Sequence, residues 1–259
     1  RCSMCPIAEE RSMIGFIIAV FTIAGMIKGT IGLGLPAVSM GLLTLVISPF
    51  QAATLLIIPS IVTNLWQLFA EGNVLSLIKR FWPLLLGIIV GSVWSIFPTL
   101  GQNTSGFHSE ALLGGMLALY GLYGLFAKSM PNLAPYEKWL SPMVGYLGGA
   151  LTVATGVVVI PVVPYVQSLQ LKRDDLVQTL GLAFTVSTFC LATFLHLNPV
   201  EDTPIDYKLS LIALIPALVG MWAGTKIRYR IPEQRFRKLF FCGLVIFGCY
   251  SVLHPFGFI

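Results

Sequence analysis

Charge is scarce in this chain, and acidic charge scarcest. The 259 residues hold 11 Asp and Glu against 16 Lys and Arg, and charged residues make up 10% of the whole. No Asp or Glu lies inside the long apolar stretches, Glu110 standing at the edge of one. A water-soluble domain carries about 25% charged residues, so that class is excluded. Also missing are the features of a catalyst. The three histidines, His108, His196 and His254, sit at segment ends in different outer regions, and no H-x-x-x-H or catalytic dyad occurs. An enzyme is therefore not expected, nor a cofactor or a bound metal. The Gly-x-Gly within "GTIGLGLP" follows no strand and lacks the Gly-Lys-Ser/Thr ending of a phosphate loop, which excludes a nucleotide site there. No nucleic-acid partner is expected. Of five cysteines, Cys2 and Cys5 form "CSMC" at a polar start, where two thiols alone make no metal site, and Cys190, Cys242 and Cys249 fall in apolar runs as small hydrophobes.

What fills the chain instead is hydrocarbon: 56% hydrophobic residues and a mean hydropathy of +0.85. Apolar segments recur at 12–28, 35–48, 51–70, 81–100, 110–127, 140–157, 158–170, 176–196, 207–225 and 238–254. Several approach the ~20 residues that cross a ~30 Å hydrocarbon core, whereas 35–48 and 158–170 would span only ~20 Å. No series of alternating ten-residue segments suggests a barrel, so the fold expected is an all-α, multi-pass integral membrane protein. The first run is followed by Lys28-Gly29 rather than a small-residue cleavage motif, and so reads as a span and not a signal peptide.

Basic residues in short connections set orientation. Lys79 and Arg80, Lys128 and Lys138, Lys172 and Arg173, and the group Lys226, Arg228, Arg230, Arg235, Arg237 and Lys238 belong inside. The segments 101–108 and 198–208 and the tail "HPFGFI" belong outside. With 128–140 and 170–174 both inside, 140–170 must enter and return to one side. By the same count 12–48 enters from the opposite face and returns, with the N-terminus outside. The two excursions resemble each other in sequence. Residues 32–54 align with 156–179 with one insertion, placing Gly32 on Gly156, Pro36 near Pro161 and Thr54 on Thr179; each half continues with a long helix and two spans, carrying Gly87 and Gly91 or Gly220 and Gly224. The expected division is an extracytoplasmic segment 1–11, a first repeat 12–128, a cytoplasmic linker 129–139, a second repeat 140–254 and an extracytoplasmic tail 255–259. Inverted repeats with paired broken hairpins belong to secondary transporters, whose substrate sits near midplane where the breaks meet.

Backbone groups freed by a helix break cannot face lipid, so the breaks at "KGTIGLGLP" and "TVATGVVVIP" must line protein or a water-filled cavity. A half-helix starting at Pro36 or Pro161 would offer free N–H groups and a positive dipole end, both suited to an anion. Beside the first break stands Lys28. Fifteen residues beyond Met13, it would lie ~22 Å into the core on a straight helix. It either faces a cavity, where an anionic ligand is its natural partner, or snorkels to the inner interface. On the long helices Ser60, Thr63, Asn64 and Gln67 share one face, and Thr185 and Thr188 repeat Ser60 and Thr63 with the 125-residue shift that carries Thr54 to Thr179. Such residues either line the site or hydrogen-bond between helices. The five tryptophans lie mostly near segment ends and fit an aromatic belt.

The stretches "AGMIKGTIGLGLPAVSMGLL", "PSIVTNLWQLF" and "TGVVVIPVVPYVQSLQLKRDDLVQTLGLAFTVST", with the paired layout, resemble the TauE/SafE sulfite exporter family over about residues 15–250. The resemblance implies a bacterial inner-membrane transporter of small anions such as sulfite, sulfonates or sulfoacetate. It also implies Gly29, Gly32, Gly34 and Pro36, with Gly156 and Pro161, as paired motif positions. The second motif has fewer glycines, which implies a less sharp break there. The candidate substrate site is thus Lys28, Gly29, Gly32, Gly34, Pro36, Ser60, Thr63, Asn64 and Gln67 with Thr155, Gly156, Pro161, Gln178, Thr185 and Thr188. The coupling ion is a proton, carried on a weakly acidic anion, or sodium held by carbonyls at the breaks. An anion channel that does not alternate access remains the rival.

Overall fold

The computed structural model describes residues 6–69, 74–101, 109–126, 131–199, 207–228 and 233–253, and its regular elements are all helical. They are α1 (Pro6–Ile31), α2 (Leu35–Leu43), α3 (Pro49–Leu68), α4 (Val74–Val93), α5 (Ser109–Phe126), α6 (Glu137–Thr155, after a 3₁₀ turn at Ala134–Tyr136), α7 (Val159–Ser168), α8 (Arg173–Leu197), α9 (Tyr207–Arg228) and α10 (Glu233–Leu253). Five are long and apolar enough to cross a membrane, within α1, α3, α4, α8 and α9. The half-helices α2 and α7, nine and ten residues long, reach about 14 and 15 Å, half a hydrocarbon core. Cys2, Cys5, His108, Lys128, Arg230, His254 and the two chain ends lie outside the described residues.

Lys79 and Arg80 are not in a loop. Helix α4 starts at Val74, seven residues before the apolar run, and carries both in its second turn. Long cationic side chains tolerate this because their heads reach outward while their stems cover apolar surface. Arg80 is also tied to α6 by a bidentate pair: Nε donates to Glu137 Oε1 at 2.9 Å and Nη2 to Oε2 at 2.7 Å. Lys138 likewise sits in the first turn of α6.

Small residues decide which helices touch. A Cβ on Gly25 would stand 2.2 Å from the Ala217 carbonyl oxygen, and one on Gly29 2.1 Å from that of Met221; Gly220 and Gly224 meet Thr22 and Met26 as closely. Contacts advance along both chains together, so α1 and α9 run parallel. The pair α4 and α6 repeats the arrangement: Gly87 and Gly91 face Pro142 and Tyr146, and Gly145 and Gly149 face Leu84 and Ile88. Each crossing is thus a double small-xxx-small contact, the means by which helices approach backbone to backbone where no hydrophobic force separates them from lipid. Helices α5 and α10 are antiparallel, with Gly114 at Ser251 and Gly121 at Val245.

Between these pairs lie α3 and α8, the most enclosed of the five candidate spans. They are antiparallel, joined in the C-terminal part of α3 by Asn64–Thr188 and, one turn on, by Leu68–Gln178. Pro59 lacks the N–H that would have bonded the Leu55 carbonyl. Ser210 of α9 replaces it, its hydroxyl donating to Leu55 O at 2.9 Å. All five tryptophans, Trp66, Trp82, Trp94, Trp139 and Trp222, are exposed with other large apolar side chains on the outer surface.

Candidate functional site

Two glycines end α1 and restart the chain. Gly32 (φ +83°) and Gly34 (φ +101°) occupy left-handed backbone, which a side chain would strain. Pro36 then stands in the first turn of α2. In the second half Gly156 (φ +77°) closes α6. Three residues separate the half-helices at each break, 32–34 and 156–158. One left-handed glycine is enough to stop α6, but the second break is the more drawn out, as expected, because the backbone is again non-helical at Ile160. Ile160, at φ −104° and ψ 134°, adds a kink before Pro161.

Two N–H groups at the breaks are already used. The Gly32 N–H donates to Lys28 O at 2.7 Å and the Gly156 N–H to Thr152 O at 2.8 Å, each capping its own helix, and Pro36 has no N–H to offer. A glutamine instead holds the first break, and a second one ties the two long helices together. Gln67 Nε2 donates to Gly32 O at 3.0 Å and Val177 O at 3.2 Å, while Gln178 Nε2 donates to Leu68 O at 3.0 Å. One amide thus joins the first break to both long helices.

Lys28 is 3% exposed. Its ammonium donates to Thr63 Oγ1 at 3.0 Å and to Asn64 Oδ1. Asn64 in turn donates through Nδ2 to Thr188 Oγ1 at 3.4 Å. A relay therefore runs from α1 through α3 to α8, and every acceptor on the lysine is neutral. Among the described residues the one ion pair is Arg80–Glu137, and no carboxylate approaches Lys28. The snorkelling alternative is not the observed geometry.

Thr188 also lines a small cavity between the two breaks, with Pro36, Ser60, Thr152, Gly156 and Ser187. Its volume open to water is about 20 Å³, room for about one water molecule and too little for a multi-atom anion. The Ser60 hydroxyl is buried there without a partner. Ser187 and Thr188 turn their protons to Phe184 O, leaving oxygen lone pairs for a donor.

The expected residues thus divide. Lys28, Thr63, Asn64 and Thr188 are joined by hydrogen bonds, and Pro36, Ser60, Gly156 and Thr188 share the cavity. Gln67 and Gln178 are clamps. Gly29 packs against α9 and Gly34 against the Phe240 ring. Thr155 bonds Leu151 O and the Val157 N–H, Thr185 bonds Gly181 O on its own helix, and Pro161 is not among the cavity's lining residues. Thr152 and Ser187 line the cavity without having been expected. Thr152 lies one helical turn before Gly156, and Ser187 adjoins Thr188, so spacing alone could have found both.

Chemically, Lys28 is a buried cation on neutral acceptors, linked through Asn64 and Thr188 to a small cavity whose largely apolar wall carries a few hydroxyls. Among the described residues no group of three His, Cys, Asp or Glu side chains could hold a metal. No curated protein and no solved structure matches the chain. The sequence pattern described as sulfite exporter TauE/SafE does, over residues 17–251, and the chain belongs to that family.

Proposed function

We propose that the protein is a secondary transporter, most simply an exporter, of small sulfur-containing or organic anions such as sulfite, sulfonates or sulfoacetate across a bacterial inner membrane. Alternating access would occur around the two breaks. The observation that carries this reading is Lys28, an enclosed ammonium with Thr63 and Asn64 as its only acceptors among the described residues. A charge within a membrane protein that lacks a counter-charge is costly. An oxyanion replacing those neutral oxygens would supply that counter-charge, through charge-assisted bonds roughly twice as strong. A lysine is a compact charge with three donors, suited to a ligand that must later leave.

The inverted repeat is part of the proposal, and helix directions support it. If α1 to α5 correspond to α6 to α10 with opposite insertion, α1 and α9 should run the same way, as should α4 and α6, while α3 opposes α8 and α5 opposes α10. The glycine and side-chain contacts give these four directions, and the distribution of basic residues along the sequence gives them independently. The cavity has room for about a water, so the conformation described is a closed one. Loading would require α3 and α8 to part around Ser60 and Thr188. A proton or sodium serves as the coupling ion in this scheme.

Replacing Lys28 by Gln tests the reading. In proteoliposomes K28Q should lose at least tenfold of its initial rate for sulfite, sulfonates or small carboxylates while remaining inserted and monodisperse. An unchanged rate for the whole panel would remove Lys28 from the site. Saturation and trans-stimulation by unlabelled anion would separate a carrier from a channel.

A further inference from the structure

Away from the breaks, at the end of the molecule where Lys79 and Lys138 lie, the outer crossing of α4 and α6 opens into a groove of about 860 Å³. Its polar end is lined by Lys79, Arg80, Glu137 and Lys138, and its apolar wall by Trp82 and Leu86. Arg80 is spoken for: both Glu137 oxygens hold its guanidinium, which also lies 5.2 Å above the Phe81 ring. Lys79 and Lys138 are exposed, and neither joins an ion pair among the described residues. Among the lining residues three cations face one carboxylate, and Asp175 also acts on Arg80, which leaves Lys79 and Lys138 as the groove's available positive charge. Trp82 is 59% exposed and Trp139, next to Lys138, 80%, a placement that suits rings at the boundary between headgroups and hydrocarbon. Beyond them the outer faces of α4 and α6 continue with exposed Leu86 and Met143, a surface fitted to acyl chains.

We propose that this groove is a binding site for an anionic phospholipid, with its phosphate between Lys79 and Lys138 and its chains along the α4–α6 crossing. Basic pockets between membrane helices recognise such headgroups because the lipid supplies charge and hydrocarbon in the register that the pocket offers. A headgroup with two phosphodiesters offers one to each of the two lysines, whereas a zwitterionic headgroup brings them no net charge. The floor is rigid, since Gly87, Gly91, Gly145 and Gly149 lock the helices backbone to backbone and the Arg80–Glu137 pair fixes the polar end. Rigidity of this kind lowers the ordering entropy lost on binding.

The site is tested on the full-length protein in phosphatidylcholine nanodiscs, titrated with cardiolipin or phosphatidylglycerol and followed by native mass spectrometry and thermal melting. Cardiolipin should stay bound and raise the melting temperature, phosphatidylglycerol should do so less, and added phosphatidylcholine not at all. The double variant K79Q/K138Q leaves the Arg80–Glu137 pair intact and should weaken cardiolipin binding by about twenty-five-fold, two lysines at roughly fivefold each. K226Q, which removes an exposed lysine resting on the Trp222 ring, should bind as the parent does. Equal retention by K79Q/K138Q and the parent would overturn the proposal, as would equal stabilisation by phosphatidylcholine. Stabilisation by soluble glycerophosphate alone would make this a free-anion site and also refute the lipid.

Discussion

At the scale of the residue, Lys28 and Ser60 present opposite imbalances. Lys28 has charge and only neutral company; Ser60 has a hydroxyl and no company, its Oγ buried and unpaired in the closed cavity. A buried polar group without a partner lowers stability by about 1–3 kcal/mol. Ser60→Ala should therefore stabilise the protein, raising its melting point in detergent, while slowing anion transport because the open form loses a donor. A variant that is both more stable and fully active would show that Ser60 makes no contact with the anion. Both residues were legible in the sequence, because a lone lysine or a polar stripe is conspicuous against hydrocarbon. Gly29 and Gly34 were legible only as motif positions. What they meet, the Met221 carbonyl and the Phe240 ring, lies about two hundred residues away along the chain, beyond the reach of any local pattern.

At the scale of the element, the apolar runs located every helix, yet the start of α4 was misplaced at the basic pair. Hydropathy registers where a chain is apolar, whereas a helix continues until its backbone is stopped, and Lys and Arg are good helix formers. The breaks were found because Gly and Pro act on the backbone directly. The crossings carry a sharper expectation. A Cβ at Gly149 would lie 2.0 Å from Ile88 O and 2.9 Å from Ser92 N, both backbone atoms that cannot turn aside. Gly149→Ala should separate α4 from α6 and lower stability by about 1–3 kcal/mol. Gly115→Ala, with nothing within 4 Å of the new atom, should be neutral or slightly stabilising. Melting curves of the two variants side by side check this, and equal curves would contradict the packing described.

At the scale of the whole molecule, topology is the claim most open to refutation. The charge distribution assigns 170–174 to the same face as Lys79, Arg80 and Lys138, and the parallel pairing of α4 with α6 demands that those two helices start on one face. Single cysteines at 138 and 172, introduced in place of Lys138 and Lys172 on a background without the native thiols, should react with a membrane-impermeant maleimide from the same side. Labelling from opposite sides would break the inverted repeat and with it the proposed site.

The crossings join helices that are distant in the chain, α1 with α9 and α4 with α6, and this has a consequence in time. Lys28 finds Thr63 and Asn64 only 35 and 36 residues later. Gly25 and Gly29, on the same helix, wait for Ala217 and Met221. At roughly 5–20 residues per second of synthesis, the lysine is satisfied within seconds, whereas the glycine face beside it stays uncovered for about ten to forty. During that interval α1 sits in the bilayer with its polar residue already answered and its packing surface still vacant. The late arrival of α9 is the step that covers the glycine face of α1, with α10 then closing on α5.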